Sequence, residues 1–249
     1  MVNEGRLVNE KRRALVNDIY ERYTTEIENS FVNTTICENN DLRSKRVTGT
    51  KQTDIVFEHM DSVSAVMKYA GEDTAILNFA NYETPGGGFL YGAMAQEEAL
   101  CLESTLYPVI SNHEFYYKEN RQSLNYVGVL YSNRALWSPG IVFFRDGKEK
   151  YCDVITCAAP NASAYLSAGG SKVVNEKALY DRICFIIDEA VNRGTKAFGC
   201  GVFGQSPYIL GYLYRQLLQK EYNGVFDRVV FAVIDEATLN WLRDGFEQE

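Results

Sequence analysis

Ala75-Ile-Leu-Asn-Phe79, followed by Ala80-Asn-Tyr-Glu-Thr-Pro-Gly-Gly-Gly-Phe-Leu-Tyr-Gly-Ala-Met-Ala95 and then Gln96-Glu-Glu98, sets an apolar run, a glycine-rich loop and two adjacent acids in line. A five-residue apolar run of this kind suits a strand buried on both faces. Residues 93–105 carry a helical pattern, so the glycines fall in a strand-to-helix loop. Loops at the carboxyl ends of strands are where α/β sheets bind their ligands.

The same rhythm extends in both directions. Strands are predicted at 54–57, 141–144, 153–157 and 228–234, and helices at 62–70, 175–192, from Pro207 to Lys220 and 236–245, with Asp61 as an N-cap. Alternating strands and helices imply an α/β fold with a parallel or mixed sheet. Residues 6–29 place Leu7, Leu15, Ile19, Tyr23 and Ile27 at helical intervals among charges and predict an amphipathic helical appendage. The region 108–150, rich in tyrosine, phenylalanine and asparagine, has no clear period.

With 249 residues, 46% of them hydrophobic, the chain is long enough to bury a sizeable core. A net charge of −8 argues against nonspecific binding to duplex DNA or anionic membranes. No apolar run reaches the roughly 20 residues of a membrane span, and the start of the chain lacks the apolar core of a signal peptide, so a cytoplasmic protein is expected. The six cysteines form no Cys-x-x-Cys pair and the two histidines, His59 and His113, lie far apart, so neither a zinc cage nor a redox motif is expected.

A second glycine loop, Gly199-Cys-Gly201-Val202-Phe203-Gly204, also follows a predicted strand and precedes a helix. Each loop is either a tight turn or a cradle of backbone N–H groups for an anion, and two together suit a diphosphate. The second matches the dinucleotide fingerprint, but it lies in the last βα unit, and position 224, where the acid is sought, is glycine with Asp227 the nearest acid after it, which counts against a dehydrogenase.

Glu97 and Glu98 in a first helical turn complement the helix dipole. Next to a glycine loop they also suit glycoside cleavage: one carboxyl protonates a departing ribose oxygen while the other holds sugar hydroxyls. The acid would need a pKa raised from roughly 4.3 towards 6–7. Tyr91, Phe198, Phe203 and Phe231 are candidate aromatic surfaces for a base or ribose. Asn78 and Asn81 suit either loop orientation or strand-end hydrogen bonding.

These residues resemble a known family. Pro85-Gly-Gly-Gly88 with Gln96-Glu-Glu98 is similar to the signature of the compact, bacterial-type poly(ADP-ribose) glycohydrolases, which are built on a macrodomain. Leu77-Asn-Phe-Ala-Asn81, Ser104-Thr-Leu-Tyr107, Leu130-Tyr-Ser132, Ser138-Pro139, the run from Val154 to Asn161, the second glycine loop and Val230-Phe-Ala-Val-Ile-Asp235 follow in the family's order.

The resemblance implies a macrodomain-like mixed sheet flanked by helices, with a helical extension over residues 1–46 and a catalytic domain over 47–249. It implies that Glu98 is the catalytic acid, which then activates water, and that Glu97 holds the distal ribose. Gln96 belongs to the same signature. Gly86, Gly87 and Gly88 would flank the diphosphate and ribose, Gly199, Gly201, Val202, Phe203 and Gly204 would cover the diphosphate, and Phe231 would face the ribose.

The expected activity is release of ADP-ribose, mainly from the polymer terminus, without cofactor or metal. Poly(ADP-ribose), ADP-ribose and ADP-ribosylated proteins would be its partners, and the chain would be a monomer. The alternatives are a hydrolase of mono-ADP-ribose and a non-catalytic ADP-ribose-binding macrodomain. The sequence departs from the family pattern at Gln205-Ser-Pro207 and at Thr195-Lys-Ala-Phe198.

Overall fold

The computed structural model describes residues 2–38, 49, 51–200 and 205–248. In chain order the elements begin with α1 (Val2–Arg22), α2 (Thr24–Asn33), β1 (Thr35–Glu38), β2 (Asp54–His59), α3 (Ser62–Tyr69) and β3 (Thr74–Phe79). Then come α4 (Gln96–Leu102), α5 (Leu106–Ile110), α6 (Glu114–Val127), β4 (Arg134–Arg145), β5 (Lys148–Cys157), α7 (Ala162–Ser167) and α8 (Lys172–Asn192). The last elements are β6 (Ala197–Cys200), α9 (Pro207–Gln216), β7 (Arg228–Val233) and α10 (Glu236–Glu247).

The strands form one seven-stranded sheet in the order β1-β4-β5-β3-β6-β7-β2. Five strands, from β5 through β3, β6 and β7 to β2, run parallel, while β4 and β1 add antiparallel pairs on one side. The sheet is therefore mixed, as expected. Side chains alternate across a strand, and β3 shows it: Ala75 and Leu77 join one core cluster, Ile76 the other. In β5, Ile155 and Cys157 face the first cluster and Cys152 and Val154 the second. A sheet covered on both faces reads as an unbroken apolar run.

On one face α8, α9 and α10 contribute Ile183, Leu210, Tyr214 and Leu242. On the other lie α1 to α6, with Ile19, Ile27, Val63, Leu100, Val109 and Tyr117. The predicted N-terminal helix is two helices. Ile19, Tyr23 and Ile27 are buried as the spacing requires, whereas Leu7 is 51% exposed. Asp61 caps α3 by accepting hydrogen bonds from the Val63 and Ser64 amides.

The unassigned region resolves into α5, α6 and the first strand of the β4–β5 hairpin. The hairpin closes through Asp146 and Gly147, at φ 51° and 72°, between paired Arg145 and Lys148. An Asp-Gly pair is the signal for such a two-residue turn. Five cysteines, Cys37, Cys101, Cys152, Cys157 and Cys184, are buried and unbridged, behaving as small hydrophobes. No helix among the described residues is long and apolar enough to cross a membrane.

Candidate active site

The glycine loop leaves the carboxyl end of β3 at Phe79 and returns into α4 at Gln96. Its shape follows from contacts with α4. Gly86 and Gly87 adopt φ of 67° and 54°, in the left-handed region that side chains avoid. A Cβ on Gly87 would lie 2.7 Å from Glu98 Oε1 and 3.1 Å from Glu97 Oε2, and one on Gly86 would lie 2.7 Å from the Tyr107 ring. A Cβ on Gly88 would meet the Ala93 methyl at 2.7 Å. The bare backbone is thus required by the loop's packing on the glutamates and on its own walls, and not only by a ligand.

Both carboxylates curl back onto the loop. Glu97 accepts hydrogen bonds from the Asn81 amide at 2.8 Å, the Gly86 amide at 3.2 Å and Asn78 Nδ2 at 3.3 Å. Glu98 accepts from the Gly88 amide at 2.8 Å and, as the N3 residue of its helix, from the Ala95 amide at 3.1 Å. The two acids are 3% and 7% exposed respectively. Burial pushes the Glu97 pKa up to about 7, against the opposing pull of the hydrogen bonds from Asn81, Asn78 and Gly86, with the Glu98 charge adding to the rise.

Beneath the pair lies Cys101, fully buried, whose thiol is pushed well above its usual pKa first by burial and then by both carboxylates. Asn81 Oδ1 accepts from the Glu83 and Thr84 amides and turns the chain into the glycines. Asn78 Nδ2 also reaches Thr156 on β5. Gln96 donates to the Leu77 carbonyl at 2.9 Å and accepts from the Phe79 amide at 2.9 Å. Its amide thereby pairs with the end of β3 as a neighbouring strand would and fixes the start of α4. All these residues converge on one place.

Beside the loop opens a cleft of about 490 Å³, bordered by Phe79, Asn81, Tyr82, Ala95 and Gln96 on one wall and Pro160 on the other. That volume suits a small organic ligand. The far wall begins where β5 ends, and Asn161 caps α7 by accepting from the Ala164 amide.

Gly199 lies within β6, paired with Ile76 and Val230, rather than in a loop. Gly201, Val202, Phe203 and Gly204 lie outside the described residues. Gln205 donates to the Pro160 carbonyl on the cleft wall at 2.7 Å and accepts from Asn175 at 3.0 Å.

Phe231 requires a correction. It is fully buried, stacked on Phe57 at 5.1 Å and edge-on to Tyr214 at 5.2 Å, so it belongs to the core under α9 and α10 and faces no ligand. The parity of β7 explains it: Val229, Phe231 and Val233 all point into that cluster.

Two polar residues that frame the cleft escaped the sequence. Arg182 on α8 is buried, and its guanidinium donates to Asn133 Oδ1 at 2.7 Å, the Ser132 carbonyl at 2.8 Å and the Ala158 carbonyl. It joins the 130–133 loop to the end of β5. Asn120 on α6 donates to the Tyr82 carbonyl at 2.7 Å and accepts from Arg134 at 2.8 Å. Arg182 sits three residues after Leu179 and four before Ile186, a charge on an apolar stripe, and that misfit is the signal that marks it.

Residues 2–146 match the family described as microbial-type PARG, catalytic domain. The chain belongs to this family. Solved members align over nearly its whole length. The poly(ADP-ribose) glycohydrolase (PARG) of Thermomonospora curvata shares 25% identity at a TM-score of 0.84, covering 95% of this chain and 100% of that one. The same organism's enzyme bound to the inhibitor ADP-HPD gives 25% and 0.81, covering 94% and 98%. The PARG of Deinococcus radiodurans in complex with ADP-ribose gives 30% and 0.76, covering 89% and 97%. No curated protein matches the chain. The sheet and flanking helices are thus the macrodomain-like fold of this PARG family.

Proposed function

We propose that this chain is a poly(ADP-ribose) glycohydrolase that cleaves ribose–ribose O-glycosidic bonds and releases ADP-ribose, mainly from the polymer terminus. The observation that carries it is the pair of buried carboxylates folded onto residues 86–88 beside the cleft, in a member of the PARG family. Glu98 is the acid. Each of its oxygens accepts one backbone hydrogen bond, which leaves a lone pair on each to carry the proton that Glu98 donates.

In the first step the Glu98 proton passes to the oxygen of the leaving ribose as its bond to the anomeric carbon breaks, leaving an oxocarbenium-like sugar. In the second, a water attacks that carbon and its proton returns to Glu98, restoring the acid. Glu97 holds the hydroxyls of the ribose being cleaved, with Asn78 and Asn81 fixing its carboxyl and Gly86, Gly87 and Gly88 backing the sugar. Gly199, at the end of the sheet strand β6, with Gly201, Val202, Phe203 and Gly204 remain our assignment for the diphosphate cover.

We take residues 1–46 as an extension of a catalytic domain spanning 47–249; α1 and α2 are its helical part, and β1 joins the catalytic sheet beside β4. Ile19, Tyr23 and Ile27 share one core cluster with Leu100 and Val154, which supports one compact unit. The enzyme would act as a cytoplasmic monomer on ADP-ribosylated proteins.

Labelled polymer and a mono-ADP-ribosylated peptide separate the readings. Release of ADP-ribose from the polymer is expected. Release from the peptide alone would replace this activity with a mono-ADP-ribosyl hydrolase, and tight ADP-ribose binding with no release from either would make the chain a reader.

A further inference from the structure

α1 packs on the outer rim of the glycine loop. Asn9 donates to the Leu90 carbonyl at 3.1 Å, the Arg12 guanidinium lies 5.2 Å from the Phe89 ring centroid, and Arg12 reaches Met94 Sδ at 3.4 Å. Arg13 is held by Asn9 at 2.8 Å, close enough to Tyr107 for its charge to act on that phenol. Elsewhere in α1 Arg6 pairs with Glu10 and Arg22 with Asp18, but among the described residues neither Arg12 nor Arg13 has a carboxylate partner. Two guanidiniums therefore stand at the loop without a carboxylate partner among the described residues, in a chain whose net charge is −8.

Beside them Tyr91 is 75% exposed and Met94 65% exposed. Along the chain this surface adjoins the cleft. Ala95 borders the cleft and its amide binds Glu98, and Met94 is the residue before it.

We propose that Tyr91, Met94, Arg12 and Arg13 form a leaving-side subsite that binds the ADP-ribose unit from which the terminal unit is cut. This rests on the glycohydrolase reading. With the terminal unit in the cleft, the α1 side takes what departs. The departing ribose carries an adenine and a diphosphate. An adenine stacks on an exposed aromatic face with little demand for sequence-specific contacts. A diphosphate is complementary to guanidiniums. The cations and the apolar surface thus match two adjacent parts of one ligand.

The test compares ADP-ribose with poly(ADP-ribose) of two to four units, bound calorimetrically to the Glu98→Gln protein so that no turnover intervenes. The short polymer is expected to bind roughly tenfold tighter than ADP-ribose. Tyr91→Ala and Arg13→Ala, both on exposed side chains, should each remove several-fold of that preference with ADP-ribose affinity unchanged. The Arg13 share should shrink as salt rises.

In the chain with Glu98 intact, the same variants should raise KM for polymer and leave turnover of an ADP-ribose bearing a small phenol leaving group unaltered. An unchanged preference, or equal weakening of both ligands, would overturn the subsite. If the intact chain failed to cleave polymer while Tyr91→Ala still removed the preference, the glycohydrolase reading would fall and the leaving-side role with it, and the four residues would be a polymer-binding surface only.

Discussion

Replacing Glu97 with glutamine removes one ionisation from the centre of the site and keeps its shape. In the folded chain burial raises the Glu97 pKa from 4.5 to about 7. Below pH 4.5 the group is neutral in both folded and unfolded chains, and its protonated form is fully compatible with burial. As pH rises, the unfolded chain ionises first, so folding loses stability until the folded group also ionises near pH 7. At about 1.4 kcal/mol per pH unit, the interval between 4.5 and about 7 removes roughly 3 kcal/mol.

Glutamine undergoes no such loss. It does place an amide towards the Gly86 N–H, a penalty of about 1 kcal/mol that is independent of pH. Urea denaturation of both proteins at pH 4.5, 6, 7 and 8.5 separates the two effects. The stability difference should move in favour of Glu97→Gln by roughly 3 kcal/mol between the first and third of these values and stay level above pH 8. Parallel curves would refute the assignment of the raised proton affinity to Glu97.

Gly87→Ala forces a methyl against both carboxylates at a positive φ. The backbone strain alone is roughly 1–2 kcal/mol, so melting should fall by about 4 °C or more. Displacing the acids should lower kcat roughly a hundredfold, read by product release. Arg182→Met leaves the carbonyls of Ser132 and Ala158 and the Asn133 amide oxygen without their buried donor. A loss of roughly 3–5 kcal/mol is expected, seen as a melting point lower by about 10 °C, with weaker ADP-ribose binding by calorimetry. A variant that melts like the parent would show that the guanidinium does not hold the two loops.

The sheet was legible wherever apolar runs were uninterrupted. Residues 75–79 and 153–157 read as strands because both their faces are buried, and Asp61 marked the start of α3 by its capping chemistry. α6 was not legible because Asn120, fully buried and bonded to Arg134 and Tyr82, breaks its apolar stripe. β1 was missed because only Cys37 of its four residues is buried, at an edge strand beside a polar run. Leu7 was expected on the buried face, but the first turns of α1 lie over the glycine loop, where Val8 and Arg12 make the contacts.

At the site, the glutamate pair and the three glycines were evident from their spacing alone. Their contacts were not, since the directions of absent Cβ atoms and the pairing of Gln96 with β3 exist only in three dimensions. Phe231 went astray for the same reason: an aromatic in a strand follows the strand's parity, which the neighbouring core decides.

The most direct test of the proposed chemistry is cleavage of labelled poly(ADP-ribose) by Glu98→Gln, measured beside its calorimetric affinity for ADP-ribose. We expect ADP-ribose release to fall by at least about a thousandfold while the affinity stays within a few-fold of the parent. Polymer cleavage at the parent's rate in that variant, with binding intact, would contradict the role of Glu98 as the proton donor.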